Sequence, residues 1–395
     1  MRLNIWSAIT LASLIITAAT SVAGDWPNWR GPNHDGISKE TTWDPAALKA
    51  LKVAWKTEVG AGYSTVAVSD GKVYTTGNFN KDTDAVSCLD AATGKQIWRY
   101  DYKEPLAPKF YSGGCSATPT IHDGKVYTAS KTGKVFCLNA ETGKLIWEKE
   151  FERKAPTWGF ASSALIHGKA VIFNAGHSGM AYDKDTGAVL WSSADDECGY
   201  ATPVPFEQDG KLRIALFAKD TIMAVNPADG KVLWSYPWQT EHNANIPDPV
   251  VSGSLVLVTS GYGRGASVVD FSGAEPKKVW ENKNMRTHMS GPVLIQGYLY
   301  GFDDNRLTCL DFKTGEKKWD EKSPKKGALM AAGDKLIVIG ETGRLAIVEA
   351  SPAAYKEIAA AEVVEGRCWT MPILAGGRIY VRNSDGQLVC VDVRK

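Results

Sequence analysis

Short runs of alternating apolar and polar residues make up most of the chain, as in Lys125-Val-Tyr-Thr-Ala129. Asp-Gly and Thr-Gly dipeptides separate them, at Asp70-Gly71, Thr93-Gly94, Asp123-Gly124 and Thr142-Gly143 among others. A period of two between such dipeptides predicts strands joined by tight hairpins. Residues 353–361 are the one stretch whose pattern would suit a helix.

The runs are organised in a repeat. Asp123-Gly-Lys-Val-Tyr127 leads to Leu138-Asn-Ala-Glu-Thr-Gly-Lys-Leu-Ile-Trp147, and Asp70-Gly-Lys-Val-Tyr74 leads to Leu89-Asp-Ala-Ala-Thr-Gly-Lys95 and Trp98. Related copies end at Trp191, Trp234 and Trp319, and a looser one at Trp280. These tryptophans fall about 40–50 residues apart, with about four strands per unit, which is the signature of a propeller blade. Eight units begin near Gly62, Gly113, Trp158, Gly199, Asn245, Met289, Gly327 and Trp369. The last stops before its outer strand, whereas Leu51-Lys-Val-Ala-Trp55-Lys56 has that pattern at the other end. The expected fold is therefore all-β, a single eight-bladed β-propeller of four-stranded antiparallel blades closed by the N-terminal strand. Blade seven lacks the tryptophan; Tyr355 or Ile358 is expected in its place, with looser packing.

Asp-Ala-x-Thr-Gly-Lys-x-x-Trp resembles the pyrroloquinoline-quinone (PQQ) repeat of quinoprotein-type eight-bladed propellers, over residues 51–395. The leader Asp25-Trp-Pro-Asn-Trp29-Arg30-Gly31-Pro32 resembles the start of such proteins. The resemblance implies that each repeat tryptophan docks between neighbouring blades. It also implies two functional lines. One is a scaffold in outer-membrane protein assembly, holding partner proteins by its loops. The other is a PQQ-dependent oxidoreductase acting on alcohols, including polymeric ones, with a calcium ion and an acidic base beside the quinone and often an adjacent cysteine pair. This chain has no Cys-Cys dipeptide and no Cys-x-x-Cys-His haem motif.

Composition narrows the choice. The 395 residues are 44% hydrophobic and 23% charged, with a formal net charge of +1, so the basic face that nucleic-acid binding needs is missing. Met1-Arg2, an apolar run from Ile5 to Thr17 and Ser21-Val22-Ala23 read as a signal peptide over residues 1–23. No cysteine follows the cut, so no lipid anchor is expected, and residues 24–50 form a leader packing on the ring. The expected product is an exported, periplasmic or secreted monomer that does not span the membrane.

Candidate chemistry gathers at one place. The loops entering the inner strands, aligned on Pro119, Pro203, Pro249, Pro292 and Pro372, should meet at one mouth of the channel. They carry Tyr63, Tyr111, Cys115, Trp158, Tyr200, His242, Asn245, Arg286, His288, Arg367, Cys368 and Trp369, and Tyr262 lies on a second loop expected at the same mouth. Aromatic walls with a few cations and amides suit a planar or anionic small ligand, or a loop of an envelope protein. His242 and His288 sit on neighbouring blades, but two histidines are too few for a zinc site. Residues 82–84, 195–197 and 303–305 are the acidic clusters that calcium would use, and each reads as a solvated loop.

Cys88, Cys137, Cys309 and Cys390 share one blade position, while Cys115, Cys198 and Cys368 precede inner strands of separate blades, so free thiols are expected. No catalytic residue is assigned. The leading reading is a ligand- or protein-binding scaffold of the cell envelope, with a PQQ-dependent alcohol dehydrogenase as the alternative and PQQ with calcium as its cofactor.

Overall fold

The repeat explains itself in its turns. Asp123 and Gly124 both take left-handed backbone angles, φ 48° and 69°, as a two-residue hairpin turn with the twist of its strands requires. In the Thr-Gly turns a carboxylate or amide folds the chain over itself: Asp90 Oδ1 accepts from the amide of Thr93 at 2.8 Å and from its hydroxyl at 2.7 Å. The glycine that follows has a second role. A Cβ on Gly94 would lie 2.6 Å from the Trp55 ring, and one on Gly143 would lie 2.6 Å from Trp98. These turns are thus the floor on which the previous blade's indole rests, and a carbonyl beside the turn accepts the indole N–H. Trp55 donates to Ala91 O at 3.1 Å, Trp98 to Ala140 O at 2.9 Å, and Trp319 to Ser351 O at 2.8 Å. A buried indole usually finds such a partner for its N–H.

A computed structural model describes residues 24–109, 111–273 and 275–395; the signal peptide read over residues 1–23 lies outside them. Eight antiparallel sheets follow one another in the chain, at residues 67–103, 120–150, 165–192, 204–237, 250–282, 293–321, 327–362 and 373–392. The eighth takes its outer strand from Val53–Glu58, which pairs with Gln387–Asp392 and sets Trp55 opposite Cys390. The ring closes as the repeat count requires. Arg382, fully buried beside that junction, donates to the carbonyls of Gly60, Ser64 and Thr76 at 2.8 Å, tying blade eight to the start of blade one. All seven cysteines are buried and free. No helix of the described residues is long and apolar enough to cross a membrane.

Blade seven corrects the sequence reading twice. Residues 353–361 contain no helix; Glu357–Glu362 is the outer strand. In blade six the pairing puts Trp319 opposite Cys309, and in blade seven the matching position is Ala359 opposite Ile347, so neither Tyr355 nor Ile358 fills the tryptophan slot. Tyr355 instead donates its hydroxyl to Glu357 at 2.7 Å and lies edge-on to Trp319. The leader fills the seam: Trp43 and Leu48 are buried in one apolar cluster with Ala359, and the 3-10 turn Ala47–Ala50 lies against the outer strand.

The rest of the leader crosses the end of the channel. Trp26 pairs with Val68 of blade one, and Pro27 O accepts from Ile121 N of blade two. Arg30 donates to Gly291 O and Pro292 O before blade six, and Ile37–Ser38 adds in parallel to the inner strand of blade seven. The leader is therefore a plug. His34 lies within it, accepting from Asn28 at 3.2 Å through Nδ1. Burial first, and the Arg30 charge second, push its pKa down to about 4. An imidazole held neutral when folded destabilises the fold only where the unfolded chain would be protonated, so the penalty appears as pH falls from about 6.5 to about 4. His34→Gln should lose less stability than the parent over that window, by up to ~3 kcal/mol, in denaturant unfolding at pH 7 and pH 4. Parallel losses in the two proteins would contradict a buried neutral His34.

Candidate functional site

Where the leader passes under the inner strands it builds a floor. Asp248, 4% exposed, is placed by the loop entering blade five. Its Oδ1 accepts from Thr202 N at 2.8 Å, its Oδ2 accepts from the Trp29 indole, and Arg30 Nε lies 3.9 Å away. Burial raises the Asp248 carboxyl above the usual range, against the pull of Arg30 and the two hydrogen bonds. Trp29 is thereby pinned across the channel.

Above it opens a cavity of about 230 Å³, lined by Trp29, Tyr63, Tyr111, Trp158, Tyr200, Tyr262, His288 and Trp369 with Ser116, Ala161, Ser163, Thr202, Ile246, Asp248, Met289 and Thr370. The rings form a belt around the mouth. Centroid distances run Tyr111–Tyr63 5.5 Å, Tyr63–Trp369 5.7 Å, Trp369–His288 6.5 Å and His288–Tyr262 4.7 Å. They continue Tyr262–His242 5.5 Å, His242–Trp158 6.2 Å and Trp158–Tyr200 5.6 Å, and the Tyr111 hydroxyl donates to Trp158 O at 3.4 Å to close the circuit. Such contacts lie in the attractive range for aromatic pairs, so the belt holds its own shape.

Most polar groups in the wall are already engaged. Ser163 Oγ accepts from Thr118 N, Thr202 Oγ1 accepts from Ser163 N, and Thr370 Oγ1 donates to Arg382 O. Three cations stand behind the rings: Lys131 Nζ 4.7 Å from the Tyr111 centroid, Arg367 4.5 Å from Trp369, and Lys326 between Trp369 and His288. The Trp369 indole donates to Glu341 at 3.2 Å. The cup is apolar, rigid and edged with positive charge.

Of the residues singled out in the sequence, Tyr63, Tyr111, Trp158, Tyr200, Tyr262, His288 and Trp369 meet in this wall. His242 extends the belt at the solvent edge, and Arg367 backs Trp369. The others lie elsewhere. Asn245 is fully buried, its amide donating to Ala218 O, Lys219 O and Trp238 O, so it cross-links loops below the rim. Cys115 and Cys368 are buried outside the lining, each thiol pushed up to about 12, chiefly by burial. Arg286 is locked on Asp303, with Nε 2.7 Å from Oδ1. Trp238, which the repeat left unexplained, is core: its indole donates to Ser260 and Arg264 stacks on its face at 3.6 Å. Trp29 and Asp248 were not anticipated, although Asp248 immediately precedes one of the aligned prolines, Pro249.

The Tyr262 ring stands between His242 and His288, and the described residues contain no group of three His, Cys, Asp or Glu side chains placed for a metal. Of the acidic clusters, Asp84 is held by Asn78 at 2.6 Å, Asp196 by Lys219 at 3.1 Å and Asp303 by Arg286. Calcium takes six to eight oxygens, and the one carboxylate in the cup wall has both oxygens engaged. The residues present do not fit a calcium-held quinone.

A family model described as outer membrane protein assembly factor BamB matches residues 46–115 and 83–321. Quinoprotein alcohol dehydrogenase PedH of Pseudomonas putida is 28% identical over 285 residues, 68% of this chain and 36% of that protein. Quinohemoprotein alcohol dehydrogenase ADH IIB of Pseudomonas putida is 28% identical over 190 residues, 45% of this chain and 27% of that protein. The matched stretches thus span about a third of those relatives' own length. Among solved structures, quinohemoprotein alcohol dehydrogenase from Comamonas testosteroni superposes with a TM-score of 0.73 at 16% identity, over 95% of this chain and 81% of that one. BamB from Moraxella catarrhalis gives 0.64 at 17% identity, over 87% of this chain and 99% of that one. At such identities the likeness is one of fold, and a propeller hosts unrelated functions.

Proposed function

The chain belongs to the PQQ-repeat propeller family matched by the BamB model, and from that premise we propose that it is an exported binding protein of the cell envelope, without catalysis of its own. The observation that carries this reading is the aromatic cup: a closed belt of rings over a pinned floor, whose single lining carboxylate has both oxygens engaged. Such a surface binds by shape and apolar contact, and its few polar groups orient what enters. The apolar run at residues 5–17, which lies outside the described residues, supports export.

The relatives named as alcohol dehydrogenases give the rival reading its support, and the cup's lack of calcium donors weighs against it. Titration of the purified protein with PQQ and calcium should give no saturable quinone uptake, and no reduction of an artificial dye with alcohols as substrate. Saturable uptake with turnover would replace the scaffold by the oxidoreductase. Trp369→Ala should weaken binding of whatever fills the cup while changing the melting temperature little, because the residue is only partly buried at the rim. A large drop in melting temperature would place Trp369 in the core instead.

A further inference from the structure

The leader closes some of the inner-strand edges and leaves others open. Each inner strand ends in a two-residue hairpin turn, at the end away from the cup. The alternation of an antiparallel ladder aims the amide two residues before that turn out of its own sheet and toward the channel. In blades one, two and seven these amides belong to Val68, Ile121 and Ala331. They donate to the leader, to Trp26 O at 2.8 Å, Pro27 O at 2.7 Å and Gly36 O at 2.9 Å. In blade eight the amide of Leu374 meets the Met330 sulfur at 3.0 Å.

In blades three to six the same register falls on Ile166, Glu207, Val251 and Leu294. Among the described residues, no leader carbonyl accepts from any of these four. Three of them, Glu207, Val251 and Leu294, line one groove of about 500 Å³, whose other side is the leader from Arg30 to Ile37. An unpaired strand edge is a template for another extended chain. The leader demonstrates that pairing on the neighbouring blades, and at blade seven it adds as a strand, Ile37–Ser38.

The lining says what such a chain carries. Ile37, Pro205, Val251 and Leu294 make the groove mostly apolar. The one guanidinium on it, Arg30, is spent on the carbonyls of Asp35, Gly291 and Pro292 and faces Asp248. Glu207 is exposed and, among the described residues, has no ion-pair partner, and the Asp35 carboxylate stands across from it on the leader side. A helix spends its carbonyls on its own amides, so only an extended segment can answer the three that face this groove.

We propose that this groove is a second binding site, separate from the cup, and that it takes an extended, mostly apolar protein segment bearing a basic residue. The segment adds to blades four to six as the leader adds to blades one, two and seven, with its carbonyls on the outward amides and its cation beside Glu207. The site does not depend on what the cup holds.

Calorimetric titration of the full chain tests this with two capped hexapeptides: Val-Thr-Val-Lys-Val-Thr and its twin with Glu in place of Lys. The lysine peptide should bind, about threefold tighter than its twin, the worth of one exposed ion pair. Val251→Pro removes one outward N–H and keeps the strand, since Pro205 already occupies an outward-facing position in blade four. It should weaken both peptides about five- to tenfold, the worth of one hydrogen bond, with the urea midpoint little changed. Glu207→Lys keeps every amide and should reverse the preference between the peptides. In nitrogen-15 spectra the amides of Glu207, Val251 and Leu294 should shift on adding the lysine peptide, while the indoles of Trp158 and Trp369 in the cup stay in place. If Val251→Pro does not fold, Glu207→Lys and the spectra decide alone. Failure of both peptides to bind at millimolar concentration, an affinity unchanged in folded Val251→Pro, or shifts confined to the cup indoles would overturn the groove and leave the reading of the cup untouched.

Discussion

A variant lacking residues 51–58 should lose its single cooperative unfolding transition. Among the described residues, Val53–Glu58 is the only outer strand that comes from the opposite end of the sequence, and it does three things at once. It covers the edge of Gln387–Asp392, it inserts Trp55 between blades eight and one, and it brings Lys52 Nζ within 2.9 Å of Asp392. Without it blade eight keeps three strands and an open edge, and Gly94 loses the ring it was shaped to meet. The seam would then rest on Arg382 and its carbonyl partners, in a wall no longer closed against water. Urea unfolding followed by tryptophan fluorescence and by far-ultraviolet circular dichroism should give two curves that no longer coincide. Trp55→Ala is the graded control. It keeps the strand, so it should unfold in one transition, shifted by ~3–5 kcal/mol. A deletion variant with the parent's midpoint and one transition would mean that the ring does not need this closure.

What could be read from the sequence follows what repeats. Seven tryptophans at blade intervals, each near a Thr-Gly turn or a looser equivalent, identified the architecture because the same contact recurs around the ring. Blade seven was misread because it keeps the strand register but replaces the ring by Ala359, and the compensating Trp43 and Leu48 lie some 300 residues earlier in a segment with no period. The same limit governed the leader, whose partners Val68, Ile121, Asp248 and Gly291 come from four blades, so no local pattern announces a plug. At the mouth, alignment of the entry loops identified which residues gather there. It could not say which way each faces. Asn245 and Tyr200 come from equivalent loops, yet one ties three carbonyls below the rim and the other lines the cup. Loops have no period-two rule to separate inside from outside, so tertiary packing alone sets which way each side chain faces.

Asp248→Ala should be the most damaging single substitution in the cup, and its effect should reach the leader. The carboxylate accepts from two donors, the Thr202 amide and the Trp29 indole, and faces the Arg30 guanidinium charge across 3.9 Å. Arg30 is 2% exposed and Asp248 4%, and among the described residues no other carboxylate lies within salt-bridge distance of Arg30. Removing one member of a buried pair leaves the other charge uncompensated, which costs ~3–5 kcal/mol, far more than the pair itself contributes over an apolar replacement. That asymmetry gives a decisive control. Arg30→Met in the Asp248→Ala background removes the orphaned charge, so the double variant should recover stability relative to the single one, although the arginine's bonds to Gly291 O and Pro292 O are lost. Stability alone does not describe the outcome, because Trp29 is no longer pinned in either variant. The leader of both should be cut by protease over residues 24–50 faster than in the parent, and a cup without its floor should bind apolar rings more weakly even where the melting temperature has recovered. Additive losses in the double variant would show that the Arg30–Asp248 charge pair does not carry the effect. An intact leader in Asp248→Ala would show that the floor is held by the strand addition at Ile37–Ser38 rather than from the cup side.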